Sequence, residues 1–136
     1  MDDPACAARL CSVRADIADR PLMRELAVDC DAIVNFAAET HVDRSILDPS
    51  AFLATNVEGV HSILEACRGA KADHGAAPPF LQVSTDELYG SVETGESVED
   101  DRLAPRSPYA AAKAAAELLA FQLRQGRLGT GVQHPG

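Results

Sequence analysis

Two short apolar runs with a long helical stretch between them restrict this chain's fold more than any other feature. Asp31-Ala32-Ile33-Val34-Asn35-Phe36-Ala37 and Phe80-Leu81-Gln82-Val83-Ser84 are the runs. The first is short and continuously apolar, which suits a strand buried on both faces. Between them, Ser50 to Ala70 places Phe52, Leu53, Val57, Val60, Ile63 and Leu64 on one helical stripe. A Gly/Ala/Pro loop then closes at Pro78-Pro79.

The same alternation extends to both sides. Leu10 to Ile17 contains an extended stretch ending Val13-Arg14-Ala15-Asp16-Ile17, and Pro21 opens a short helix running towards Val28. After the second run, Glu93 to Pro105 is polar, acidic and irregular, so it reads as a loop. Ser107-Pro108 is an N-cap and first-turn pair, and the Ala- and Leu-rich helix that it opens should stop at Gly126. Strand, helix, strand, helix, strand, helix implies a parallel sheet in an α/β fold, with right-handed crossovers placing helices on the sheet faces.

The 136 residues fit one domain with a moderate core, and 46% hydrophobic with 24% charged residues is ordinary for a globular protein. A net charge of −9 argues against non-specific nucleic-acid binding, which needs a basic face. No apolar run approaches the roughly 18 residues of a membrane span, and the acidic Met1-Asp2-Asp3-Pro4 is unlike a secretory signal. Cys6, Cys11, Cys30 and Cys67 are scattered without C-x-x-C pairs, which suits reduced core thiols in a cytoplasmic protein, with no metal expected.

Chemistry concentrates after the second run. Ser84-Thr85-Asp86-Glu87-Leu88-Tyr89-Gly90 follows a strand directly, and the carboxyl ends of parallel strands are where ligands bind. A hydroxyl and two carboxylates there offer a hydrogen-bond partner, an acid and a base; the plain alternative is a solvated acidic turn. Tyr109-Ala110-Ala111-Ala112-Lys113 puts a phenol and an ammonium on one helix face. An unperturbed tyrosine, with a pKa of about 10, is too weakly acidic to serve as a base at neutral pH, and a nearby lysine charge favours its phenolate. The spacing alone also describes many surface pairs; its place two dozen residues after Ser-Thr-Asp-Glu gives it weight.

Together with Asn35-Phe36-Ala37-Ala38-Glu39-Thr40-His41-Val42-Asp43-Arg44-Ser45, these motifs make the chain resemble the extended short-chain dehydrogenase/reductases. Within them it is most similar to the nucleotide-diphosphoglucose 4,6-dehydratases of the dTDP-glucose type. The resemblance runs from about Val13 to Leu123. It implies a Rossmann-type NAD-binding domain, a bound NAD, and conversion of dTDP-glucose to dTDP-4-keto-6-deoxyglucose plus water. In that reaction Tyr109 takes the proton of the sugar 4-hydroxyl, Thr85 hydrogen-bonds that hydroxyl, and Lys113 tunes Tyr109 and holds the nicotinamide ribose. Glu87 removes the carbon 5 proton, while Asp86, kept protonated, protonates the departing 6-hydroxyl. By the same resemblance Asp16 and Ile17 meet the adenine ring, Phe36, Ala37, Ala38 and Glu39 line the cofactor, Thr55 lies near it, and Thr40 approaches the substrate.

The resemblance also sets the expected limits of this chain. The family's glycine-rich turn has no counterpart before Val13, and Gly126-Arg127-Leu128-Gly129-Thr130-Gly131 follows a helix, which reads as a cap and loop. Residues 1–136 are therefore expected to be a partial Rossmann domain, incomplete at both ends and without the substrate domain, inactive and poorly stable alone. The sugar's nucleotide (dTDP, UDP or CDP) is not legible here. Other readings are an extended-family epimerase or decarboxylase, which the Asp86-Glu87 pair disfavours, and a non-catalytic dimerisation module. The family's intact members pair as homodimers through helices corresponding to Ser50–Ala70 and Pro108–Gln125.

Overall fold

A computed structural model describes residues 9–92 and 94–124. The expected stop at Gly126, the Gly126–Gly131 string and Cys6 lie outside the described residues; Cys67 is a buried core thiol as expected, whereas Cys11 and Cys30 are exposed.

Strand β1 (Ile33–Asn35) pairs in parallel with β2 (Phe80–Gln82), with Ile33 opposite Phe80, Val34 opposite Leu81 and Asn35 opposite Gln82. The ladder continues at its ends, where Ile33 N donates to Pro79 O at 2.9 Å and Val83 N to Asn35 O at 3.2 Å. Helices flank this sheet: α1 (Arg20–Val28), α2 (Val42–Leu47), α3 (Ser50–Leu53), α4 (Val60–His74) and α5 (Pro108–Arg124). A π turn (Ala54–Gly59) joins α3 to α4, and a 3-10 turn (Asp86–Tyr89) follows β2. The parallel α/β architecture read from the alternation is thus present.

Local signals explain the helix starts. Asp19 caps α1, its carboxylate accepting from Leu22 N at 3.2 Å, and Pro21 sits in the first turn where no N–H is required. Ser107 does the same for α5, its hydroxyl accepting from Ala110 N at 3.0 Å. α4 runs past the expected Ala70, because nothing interrupts the helix before Gly75, whose N–H closes on Lys71 O at 2.8 Å.

The core lies where α4 and α5 cover one face of the sheet. Val60, Leu64 and Ala116 are buried there, with Phe80, Leu119 and Ala120 packed around them. Small side chains at Ala110, Ala112 and Ala116 let α5 approach closely. Phe52, Ile63 and Leu64 take the expected stripe positions. Leu53 does not, being 52% exposed. The π turn after it changes the phase between α3 and α4, so one straight stripe does not run through both.

Two expectations need correction. The first run is not buried on both faces: Val34 and its cross-strand partner Leu81 are 49% and 58% exposed. Both point away from α4 and α5, and no described element covers that face. The stretch from Leu10 to Ile17 is not a strand, because it joins no ladder among the described residues; Leu10 and Val13 are 77% and 49% exposed. Among the described residues no helix is long and apolar enough to cross a membrane.

Candidate active site

Two buried asparagines shape the loop that leaves β1. Asn35, at the strand's end, donates from Nδ2 to Gln82 Oε1 at 2.9 Å and accepts from Ala37 N at 3.0 Å. Asn56 in the π turn accepts from Glu39 N at 2.9 Å and donates to Glu39 O at 3.0 Å, a pairing that imitates a backbone ladder. Buried polar groups satisfied in this way hold a loop as firmly as secondary structure does. The segment from Phe36 to Glu39 is therefore pinned at both ends.

Opposite this loop lies the Arg14–Ile17 segment. Asp16 accepts from Ala18 N at 2.9 Å, closing a turn. Ile17 rests on the π turn so closely that a Cβ at Gly59 would lie 2.6 Å from its Cδ1. Between the two segments and the π turn is a cleft of about 620 Å³ lined by Arg14, Ala15, Asp16, Ile17, Ala37, Ala38 and Thr55. Five residues expected to meet a cofactor (Asp16, Ile17, Ala37, Ala38 and Thr55) share this wall. Phe36 and Glu39 are not on it: Phe36 is 77% exposed and Glu39 is held against Asn56.

The second half of the site is built on the carboxyl end of β2. Thr85 caps the 3-10 turn, its hydroxyl oxygen accepting from Glu87 N at 3.3 Å and donating to Asp86 Oδ1 at 3.4 Å. Leu88, fully buried, anchors the turn, which leaves the Asp86 and Glu87 carboxylates exposed. Against this turn packs α5, bearing Tyr109 and Lys113, which are 8% and 5% exposed. Lys113 Nζ donates to Val83 O at 2.6 Å. Burial pushes the Lys113 ammonium below its ordinary pKa, and the Glu117 carboxylate works in the opposite sense. Tyr109 N donates to the buried Ser45 hydroxyl at 3.3 Å, so α2 fixes the start of α5.

Thr85, Asp86, Glu87, Tyr109 and Lys113 are thus carried on two elements in contact. Thr40 lies exposed just before α2. Sequence reasoning assigned no role to four residues: Arg14 in the cleft, Asn56 in the π turn, Ser45 at Tyr109, and Glu117. A polar residue one turn after Phe52 within an apolar stripe was an available signal for Asn56. The others depend on partners distant in sequence. Among the described residues no group of three or more His, Cys, Asp or Glu is arranged to hold a metal.

Comparison with known proteins places this arrangement. The family model described as GDP-mannose 4,6 dehydratase matches residues 2–128. The dTDP-glucose 4,6-dehydratase of Streptomyces antibioticus is 50% identical over 120 residues, covering 88% of this chain and 33% of the relative. The low-salt glycan biosynthesis protein Agl12 of Haloferax volcanii is 50% identical over 113 residues, covering 83% of this chain and 35% of the relative. Among solved structures, a double mutant of the dTDP-glucose 4,6-dehydratase DesIV from Streptomyces venezuelae, with NAD bound, superposes with a TM-score of 0.75 at 41% identity. That match covers 85% of this chain and 34% of the other. The chain therefore spans about a third of the length of the curated relatives it matches. By the extent of the family match, the chain belongs to the GDP-mannose 4,6-dehydratase family.

Proposed function

We propose that residues 1–136 form part of an NAD-binding domain and supply the cofactor contacts and acid/base groups of a sugar-nucleotide 4,6-dehydratase. The substrate is dTDP-glucose and the product its 4-keto-6-deoxy derivative. The observation that carries this reading is the placement of Thr85-Asp86-Glu87 at a strand's carboxyl end, against the helix bearing Tyr109 and Lys113.

The residues present fit NAD. The cleft offers apolar walls from Ile17, Ala37 and Ala38 for a flat ring, and the Asp16 carboxylate suits the amino hydrogens at its edge. Phe36 and Glu39 bound the cleft's loop, with Thr55 on its wall. NAD held there would supply the hydride acceptor and donor for the sugar, which no side chain here can provide.

The protein's own groups handle protons and position. Tyr109 takes the proton of the sugar 4-hydroxyl, with Lys113 one turn along the same helix face. Thr85 hydrogen-bonds the same hydroxyl, and Thr40 meets the substrate from the opposite loop. Glu87 removes the proton at carbon 5 and Asp86 delivers one to the departing 6-hydroxyl. An epimerase or decarboxylase has no use for that second acid/base pair, so dehydration is preferred over either.

The intact protein is proposed to act in the cytoplasm on a nucleotide sugar, as a homodimer. Exposed Leu53, Leu118 and Phe121 on α3 and α5, each more than half exposed, support pairing through these helices over a lone monomer.

A chimera tests the reading. Residues 13–123 replace the matching segment of the Streptomyces antibioticus dehydratase, and the dTDP-glucose product is weighed by mass spectrometry. The expected product is lighter by one water. A product of unchanged mass, or a folded NAD-binding chimera that leaves the sugar intact, contradicts the proposal.

A further inference from the structure

Two bonds lash the strand end that precedes Thr85-Asp86-Glu87 to α5. Val83 O accepts from Lys113 Nζ, and Ser84 Oγ donates to Glu117 Oε2, both at 2.6 Å. Consecutive residues on one side meet residues one helical turn apart on the other, since Lys113 and Glu117 share a face of α5. A hydroxyl-to-carboxylate bond of this length is charge-assisted and among the stronger contacts available to a surface-facing turn.

We infer that Glu117 is a positioning residue for the Tyr109–Lys113 pair, tying the Ser84 turn to α5 and keeping a carboxylate one turn beyond Lys113. This rests on the catalytic reading of Tyr109 and Lys113 given above. The ion pairs among the described residues are formed by Arg24, His61 and Arg68, and Lys113 is in none of them. The elements packed against α5 also carry Asp86, Glu87 and Tyr89 on the 3-10 turn, Asp43 and Arg44 on α2, Glu58 in the π turn, and His61, Glu65, Cys67, Arg68, Lys71 and Asp73 on α4. Of these and Glu117, it is Glu117 whose charge bears on the Lys113 ammonium, offsetting part of the cost of its burial. The same carboxylate thus has two effects, one on geometry through Ser84 and one on charge through Lys113.

Two substitutions separate the effects. Glu117→Gln keeps an acceptor for Ser84 and removes the charge, whereas Ser84→Ala removes the bond and keeps the charge. The full chain has two lysines, Lys71 and Lys113, so acetylation followed by mass spectrometry across neutral to alkaline pH titrates both at once, with exposed Lys71 as internal reference. In the unaltered chain Lys113 should titrate below Lys71. Glu117→Gln should lower the Lys113 midpoint further, and Ser84→Ala by clearly less. An unmoved Lys113 midpoint in Glu117→Gln overturns the inference. Equal shifts in both variants also overturn it, since they indicate loosening alone, as does joint titration of Lys71 and Lys113 in the unaltered chain. The titration uses neither cofactor nor sugar, so its failure is distinguishable from failure of the chimera.

Discussion

Glu87→Gln in the chimera lowers water elimination from dTDP-glucose by about a hundredfold or more, the range expected when a general base is lost. The physical basis is narrow. Glu87 contributes its backbone N–H to the Thr85 cap, and its side chain is exposed beyond the turn. Glutamine keeps the size, the cap and the backbone while removing the group that accepts a proton. Folding and NAD binding should therefore be unchanged, and the loss should fall on elimination of water. Rates from mass-resolved product formation, with NAD binding measured in parallel, check this. A variant that dehydrates the sugar at the parent rate removes Glu87 from the mechanism.

Gly90→Ala is the substitution with the largest expected cost to the fold. Gly90 closes the 3-10 turn that carries Asp86 and Glu87, and adopts φ 82° and ψ −153°, a region essentially restricted to glycine. A Cβ there would stand 2.6 Å from the Ala104 carbonyl oxygen. That carbonyl has little freedom to retreat, because Ala104 N is itself bonded to Leu88 O at 2.8 Å. Backbone strain of this kind costs about 1–3 kcal/mol, and displacement of Ala104 adds to it. A total of about 3 kcal/mol is a large share of the 5–15 kcal/mol typical of a whole domain. Denaturant unfolding of the parent chain and the variant measures it. A difference below about 1 kcal/mol would show that the turn yields easily and does not hold Asp86 and Glu87 in place.

What was legible from sequence divides by the range of the interactions involved. The helix starts at Pro21 and at Ser107-Pro108 were readable because each signal lies within a few consecutive residues, whereas the Asp19 cap was seen only in the structure. The two apolar runs identified strands, but the exposure of Val34 and Leu81 depends on what covers the sheet, which no periodicity reveals. For the same reason Leu10 to Ile17 looked like a strand: extended backbone becomes one only when a neighbouring ladder exists. The π turn was hidden because its residues, Ala54 to Gly59, include no strong helix breaker before Gly59.

The site shows the same division. Tyr109 and Lys113 were legible as a pair because helix geometry alone puts them on one face. Asp16, Ile17, Ala37, Ala38 and Thr55 come from three separate segments, and the resemblance to known motifs was needed to connect them; the structure places them around one cleft. Arg14 and Glu117 were missed because no local motif marks them. Glu117 reaches a partner 33 positions earlier in the chain, and Ser45 one 64 positions later.

The central claim is that the cleft beside Asp16 and the Tyr109–Lys113 face are two ends of one NAD site. Titrating NAD into the isotopically labelled chain and following backbone amide resonances tests it most directly. The account predicts concerted shifts at Asp16, Ile17, Ala37, Ala38 and Thr55 together with Tyr109 and Lys113, all reporting one dissociation constant. Shifts confined to another surface, or no shifts from a folded chain, would contradict it.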